Sequence, residues 1–186
     1  LVQCAPVFLS KRSAILLTAD TADVIQRGPE LAPATWHSLT RQLYDYWRSM
    51  PPAMPASGAL PSRESFDPVA IRTLLPHIIM LDVHRDPLRF RFRLVGTMLA
   101  TWLRNDPTGR WLDELGGDTA SLTAGLTWVI GEGLPSWRRG RKRLGPGREY
   151  GSAETLALPL ASDGLLVDRV LCVSVLYDID GRPLAR

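Results

Sequence analysis

What this chain can fold into is constrained most by residues 89–103, where an alternating run turns at Gly96 into an apolar helical segment. Phe90, Phe92 and Leu94 point one way, and Arg89, Arg91, Arg93 and Val95 the other. A period of two is that of a half-buried strand. Gly96-Thr97 breaks it, and Met98, Leu99, Trp102 and Leu103 then share one face at helical spacing. Asn105, Asp106, Pro107 and Gly109 close that helix with turn chemistry. A strand feeding directly into a short helix, with more strands far downstream, predicts an α+β fold in which helices cover an antiparallel sheet.

Upstream, residues 1–34 lack a sustained period and read as a flexible leader, with a short helix expected near 21–26. Residues 35–50 form an amphipathic helix: Thr35 suits the N-cap, and Trp36, Leu39, Leu43, Tyr46, Trp47 and Met50 share a face. Residues 51–61, rich in Pro, Ala, Ser and Gly, read as a linker. Asp67-Pro68 then opens a short helix carrying Ile71, Leu74 and Leu75, which Pro76 closes. Residues 78–83 are the first strand.

Downstream, residues 106–134 read as loops and short helices, the last with Leu122, Leu126, Val129 and Ile130 in helical register. Three strands follow, over 137–144, 149–160 and 169–179. Leu156, Leu158 and Leu160 line one face of the second; Leu171, Val173, Val175 and Tyr177 line one face of the third. The compact domain therefore spans 62–180, with 181–186 as a tail.

Two strands, a helical middle and a three-stranded meander are joined by recurring short motifs. These are Leu60-Pro61-Ser62-Arg63, Phe66-Asp67-Pro68, Leu74-Leu75-Pro76, the run from Arg91 to Thr97, and Thr108-Gly109-Arg110. In this order they resemble a bacterial branch of single-PAS-domain proteins formerly classed as a domain of unknown function. The resemblance covers residues 36–179. It implies a five-stranded antiparallel sheet with helices over one face, preceded here by the amphipathic helix, and a role in sensing or protein contact. PAS relatives that bind haem commonly present a histidine from the helix over the sheet, and residues 118–131 contain none. Flavin photochemistry in PAS relatives uses a cysteine in the middle segment, and residues 96–134 contain none. No cofactor is therefore identified, and haem and flavin are disfavoured.

The residues also argue against catalysis and metal binding. Ser65 and Asp67 are explained by turn and cap chemistry, and Asp113-Glu114 are neighbours that point apart on a helix. Gly131-Glu132-Gly133 lacks the lysine and preceding strand of a phosphate loop. Cys4 and Cys172 show no ligand spacing. The reading is a non-enzyme with no metal site.

Charge is concentrated. Of 22 basic and 19 acidic residues, six basic ones fall within 138–148, leaving 16 basic against 19 acidic elsewhere. Alternation places Trp137, Arg139 and Arg141 on one strand face and Arg138 on the other, which fits an edge strand protected by charge. An alternative is an anion site in which guanidinium groups hold a phosphate beside Trp137. Arg93 and Arg110 are either salt-bridge partners for Asp82, Asp106 or Asp113, or polar contacts for a ligand. With the rest of the chain net acidic and no reading motif, nucleic acid is not an expected partner.

Two distant cysteines and no apolar run near the roughly 20 residues of a membrane span lead to a soluble, cytoplasmic reading without membrane contact. The expected function is a sensory or interaction module in bacterial signal transduction that binds a small apolar ligand between helices and sheet. Its expected pocket is lined by Phe92, Met98, Trp102, Leu122, Leu126, Val129, Leu158 and Val173. Output would pass to a separate signalling protein or through a homodimer built on 35–50. A ligand-free adaptor, a small-ligand carrier and an enzyme are the alternatives.

Overall fold

The computed structural model describes residues 14–17, 23–54, 60–141 and 151–184. The chain runs through β1 (Ala14–Leu17), β2 (Val24–Arg27), α1 (Ser38–Ser49), β3 (Ile78–Arg85) and β4 (Leu88–Val95). It continues through α2 (Thr97–Trp102), α3 (Thr119–Glu132), β5 (Ser136–Arg141), β6 (Ser152–Leu160) and β7 (Arg169–Tyr177). All pairings are antiparallel, in the order β1-β2-β5-β6-β7-β3-β4. The five expected strands are β3 to β7, with the first of them paired to the last.

Two further strands come from the stretch read as a leader. Val24 and Gln26 turn to one face of the sheet, Ile25 and Arg27 to the other, and β2 pairs along β5 from Val24↔Arg139 to Arg27↔Ser136. A four-residue strand with two polar members is too short to show its period, so the helix expected near 21–26 is replaced by β2. Its partner β5 is consequently not the edge strand that its charges suggested, being paired by β2 on one side and β6 on the other. The rest of the basic run, Lys142, Arg143 and Arg148, lies outside the described residues.

Helices cover both faces of the sheet rather than one. β6 and β7 are buried on both sides, and the sizes of their side chains differ sharply between faces. Leu156, Leu158, Leu160, Leu171 and Val173 pack beneath α1 with Ile78, Met80 and Trp137, and all are buried. Opposite them Ala153, Thr155 and Ala157 of β6 face the α2 and α3 side, paired across to Leu176, Ser174 and Cys172 of β7. There the core is completed by Leu81, Phe90, Phe92, Leu99, Leu126, Val129 and Ile130.

The stripe on α1 is spent on its own domain. Trp36, Leu43 and Tyr44 are buried, Leu39, Tyr46 and Trp47 pack against the same cluster, and Trp47 Nε1 donates to the Pro159 carbonyl at 3.0 Å. His37 caps the helix: its Nδ1 accepts from the Leu39 N–H at 3.2 Å. The stretch 51–61, read as a tether, is pinned at its ends by a Pro52↔Pro61 bridge and by the Ala53 N–H on the Leu60 carbonyl at 2.9 Å.

Two local expectations are corrected. Residues 68–74 form successive turns instead of a helix: Asp67 caps the Val69 N–H at 2.8 Å, Ile71 and Leu74 are buried, and Val69 is left exposed. In β4 the register shifts, so that Leu81 pairs with Phe92 while Met80 pairs with Leu94. Arg93 is the extra residue of a β-bulge, which returns Val95 to the core and leaves Leu94 41% exposed. Immediately afterwards Gly96 passes over the turn Leu75–His77, where a Cβ would lie 2.3 Å from the Leu75 and Pro76 carbonyl oxygens. Only glycine permits that approach, and it fixes the start of α2 against the sheet.

Candidate ligand cavity

The small residues on one face of β6 and β7 leave room that α2 and α3 do not fill. A cavity of about 190 Å³ lies there. Its apolar end is made by Leu81 and Phe92 from the sheet with Trp102, Leu122 and Leu126 from the helices. Gly125 on α3 also borders it, and a Cβ added there would meet nothing within 4 Å. The opposite end is polar and is built by β2 and β5, through Arg27, Ser136 and Arg138, with Thr155 and Ser174 beside them.

The polar groups are unequal. Thr155 Oγ1 and Ser174 Oγ satisfy each other at 3.0 Å. Arg138 donates through Nε and Nη2 to Asp23 Oδ2 at 3.0 and 2.8 Å, and the Asp23 carboxylate, fully buried, also accepts the Arg141 N–H at 2.8 Å. Among the described residues Arg27 has no such neutralisation. Its Nε is buried without a hydrogen-bond partner, its guanidinium sits 4.9 Å from the centre of the Trp128 ring, and burial lowers its pKa. Cys172 on the wall is a free thiol whose pKa is pushed up to about 12 by burial. At neutral pH it stays protonated and behaves as a small hydrophobe.

Of the residues expected to line the pocket, Phe92, Trp102, Leu122 and Leu126 do so. Val129 is buried in the same cluster without reaching the wall, and Met98 is partly buried on α2. Leu158 and Val173 are a correction: they face α1 on the other side of the sheet. Sequence parity separates the two faces without saying which of them borders a cavity, and Leu158 and Val173 belong to the leucine-rich one. Leucines fill space, whereas Ala153, Ala157, Cys172 and Ser174 leave it, and that alternation of size was the readable signal. Arg27, Arg138 and Gly125 were missed as wall residues.

The expected polar contacts are placed elsewhere. Trp137 is buried against Trp36. Arg139 lies over the Tyr177 ring at 4.2 Å and 4.0 Å from Glu154, a fully buried carboxylate. Glu154 also accepts the His37 N–H at 2.8 Å and the Tyr177 hydroxyl at 2.9 Å. Arg141 and Arg93 are exposed. Arg110 donates to the Glu114 carbonyl at 3.1 Å and borders a separate hollow beside Leu103 and Leu115. The acids considered as its partners are engaged otherwise: Asp82 by Arg169 at 3.1 Å, Asp113 by Arg89 at 2.7 Å, and Asp106 by the Thr108 N–H and hydroxyl.

Among the described residues no three His, Cys, Asp or Glu side chains gather as metal ligands, and no helix is long and apolar enough to cross a membrane. Comparison with curated proteins gives no match, and neither does comparison with solved structures. A family model described as a PAS domain matches residues 35–173, which run from the residue before Trp36 to the middle of β7. Strand order, the helical middle and this match agree, and the chain belongs to the PAS domain family.

Proposed function

We propose that this PAS domain, a sensory or interaction module, senses by binding a small, largely apolar molecule in the cavity between the sheet and α2/α3. The observation that carries this reading is the contrast between the two faces of β6 and β7. Leucines fill the α1 face, while alanines, a cysteine and hydroxyl residues leave about 190 Å³ on the other. An apolar cavity of about 150 Å³ accommodates benzene, and drug-sized ligands need roughly 300 Å³ or more. A body of one or two rings, or a short acyl chain, suits this volume better than haem or a flavin. The wall offers hydroxyls, a protonated thiol and two guanidinium groups, a set suited to holding a molecule rather than transferring protons at neutral pH.

Output would pass through a surface that α2 and α3 reshape on binding, to a separate signalling protein or to a second copy. A homodimer through residues 35–50 would have to use the outer, polar side of α1, because its apolar stripe is buried on its own sheet. A cytoplasmic setting accords with the free, buried thiol of Cys172.

Native mass spectrometry of freshly purified protein tests the reading. A co-purifying mass below that of a flavin, lost on denaturation, is the expected result. A clean apo mass, with no small aromatic or acyl compound retained at millimolar concentration, would instead favour a ligand-free adaptor.

A further inference from the structure

The cavity has a charged end that the described residues neutralise only in part. Two arginines reach its wall, and among the described residues no carboxylate does. Arg138 is neutralised by Asp23, whose carboxylate sits behind the wall over Gly140. That leaves Arg27 as one positive charge without a counter-ion among the described residues. It is partly buried, its Nε has no hydrogen-bond partner, and its guanidinium lies 4.9 Å from the centre of the Trp128 ring. Withdrawing part of a guanidinium from water costs free energy that contact with a ring face only partly returns, so a charged partner at this end would be stabilising. The planar fork of arginine matches a carboxylate, which can accept two parallel N–H bonds from it.

We propose that the cavity takes a monocarboxylate: a carboxyl group held by Arg27 at the β2–β5 end, and an apolar body of one or two rings, or a short acyl chain, directed toward Phe92 and Leu126. This rests on the cavity reading above and adds the chemical class of its ligand. Charge sets the count at one, since the Arg138–Asp23 pair is already closed. Arg27 lies on β2, upstream of the segment 35–173 that carries the family match. The anion subsite is thus an addition made by the strand that lengthens the sheet, placed across from Ser136 by the β2–β5 register.

Calorimetric titration of the full chain with phenylacetate and hexanoate, each against its neutral amide, tests the proposal. Three variants accompany the wild type. Arg27→Gln removes the charge, Arg27→Lys keeps the charge without the fork, and Gly125→Leu fills the cavity from a position whose Cβ is unobstructed. In the wild type at least one acid is expected to bind roughly ten- to hundredfold tighter than its amide, the worth of a charge-assisted hydrogen bond. Arg27→Gln should bring acid and amide to parity, Arg27→Lys should retain part of the preference, and Gly125→Leu should abolish binding of both. If acid and amide bind alike and Gly125→Leu abolishes both, the cavity reading stands and the carboxylate assignment is overturned. If an acid binds equally well to Gly125→Leu, the anion site lies elsewhere, which also overturns it. If no probe binds folded wild type at millimolar concentration, both readings fall. Should Arg27→Gln not fold, the acid–amide comparison on wild type and Arg27→Lys decides. A purely structural Arg27, resting on Trp128, would change the melting temperature and leave the acid–amide ratio at one.

Discussion

Trp36 lies flat on Trp137, with ring centroids 5.6 Å apart and planes within 7° of parallel. The contact joins a residue two positions before α1 to the interior strand β5, and Tyr44 closes it edge-on at 5.3 Å from Trp36. It makes α1 part of the core, covering leucines that would otherwise face water. Trp36→Ala should therefore cost about 3–5 kcal/mol in urea unfolding. Deleting residues 1–50 should abolish the cooperative melt and expose an apolar surface that binds a hydrophobic dye. A truncated chain that stays monomeric with an unchanged melt would show that the helix is a separable appendage.

In β4 the bulge at Arg93 sets two apolar neighbours apart. Phe92 is 1% exposed and Leu94 is 41% exposed. Phe92→Ala should cost about 3–5 kcal/mol, and Leu94→Ala less than about 1. Equal losses in chemical denaturation would mean that strict alternation continues through Arg93.

Gly140 is close enough to Asp23 that a Cβ would fall 1.7 Å from its carboxylate oxygen Oδ1 and 2.8 Å from its Cα. Gly140→Ala must displace the strand carrying Asp23 and break its bonds to Arg138 and Arg141. Separating a buried ion pair costs on the order of 3–5 kcal/mol, so this one methyl group should lower the melting temperature by roughly 6–20 °C on a scale of about 2–4 °C per kcal/mol for a chain of this size. An unchanged melt would show that β2 is not docked on β5 in solution.

His77 gives acid sensitivity in a defined window. Burial, chiefly, holds its imidazole below the usual 6.5, with His37 acting in the same direction and a backbone hydrogen bond with Ser174 opposing. The folded state disfavours the proton, so the unfolded chain takes it up first as pH falls below about 6.5, and stability declines from there. Asp106, Asp113 and Asp163 are also held low, by hydrogen bonds from Thr108, Arg89, and the Leu165 and Leu166 backbone respectively. Their contribution is present above 3.8 and is lost only as pH falls below it. Melting temperature should therefore drop between about pH 7 and about pH 5, and His77→Gln should flatten that part of the curve. An undiminished slope in His77→Gln would place the sensitivity on another group.

Strand order and the break at Gly96 were legible because each rests on a long, regular pattern or on a residue with a distinct conformational role. The sidedness of the sheet was not. Leu158 and Val173 alternate as well as Ala157 and Cys172 do, and parity alone does not say which set abuts a cavity. β2 was illegible because Gln26 and Arg27 break a four-residue pattern whose partner, β5, lies more than a hundred residues away. Leu94 was misplaced because a bulge is a property of the pair, set by how β3 meets β4, and no residue in β4 announces it. Arg27 lay in a stretch read as leader, so its charge had no place to be assigned.

The central claim, a ligand cavity on the small-residue face of the sheet, is tested most directly by methyl NMR of the full chain titrated with phenylacetate and phenylacetamide. Binding of either should move the methyl resonances of Leu81, Leu122 and Leu126, which border the cavity, and leave those of Leu158 and Val173 beneath α1 in place. Shifts confined to Leu158 and Val173, or no saturable shift with either probe, would contradict it.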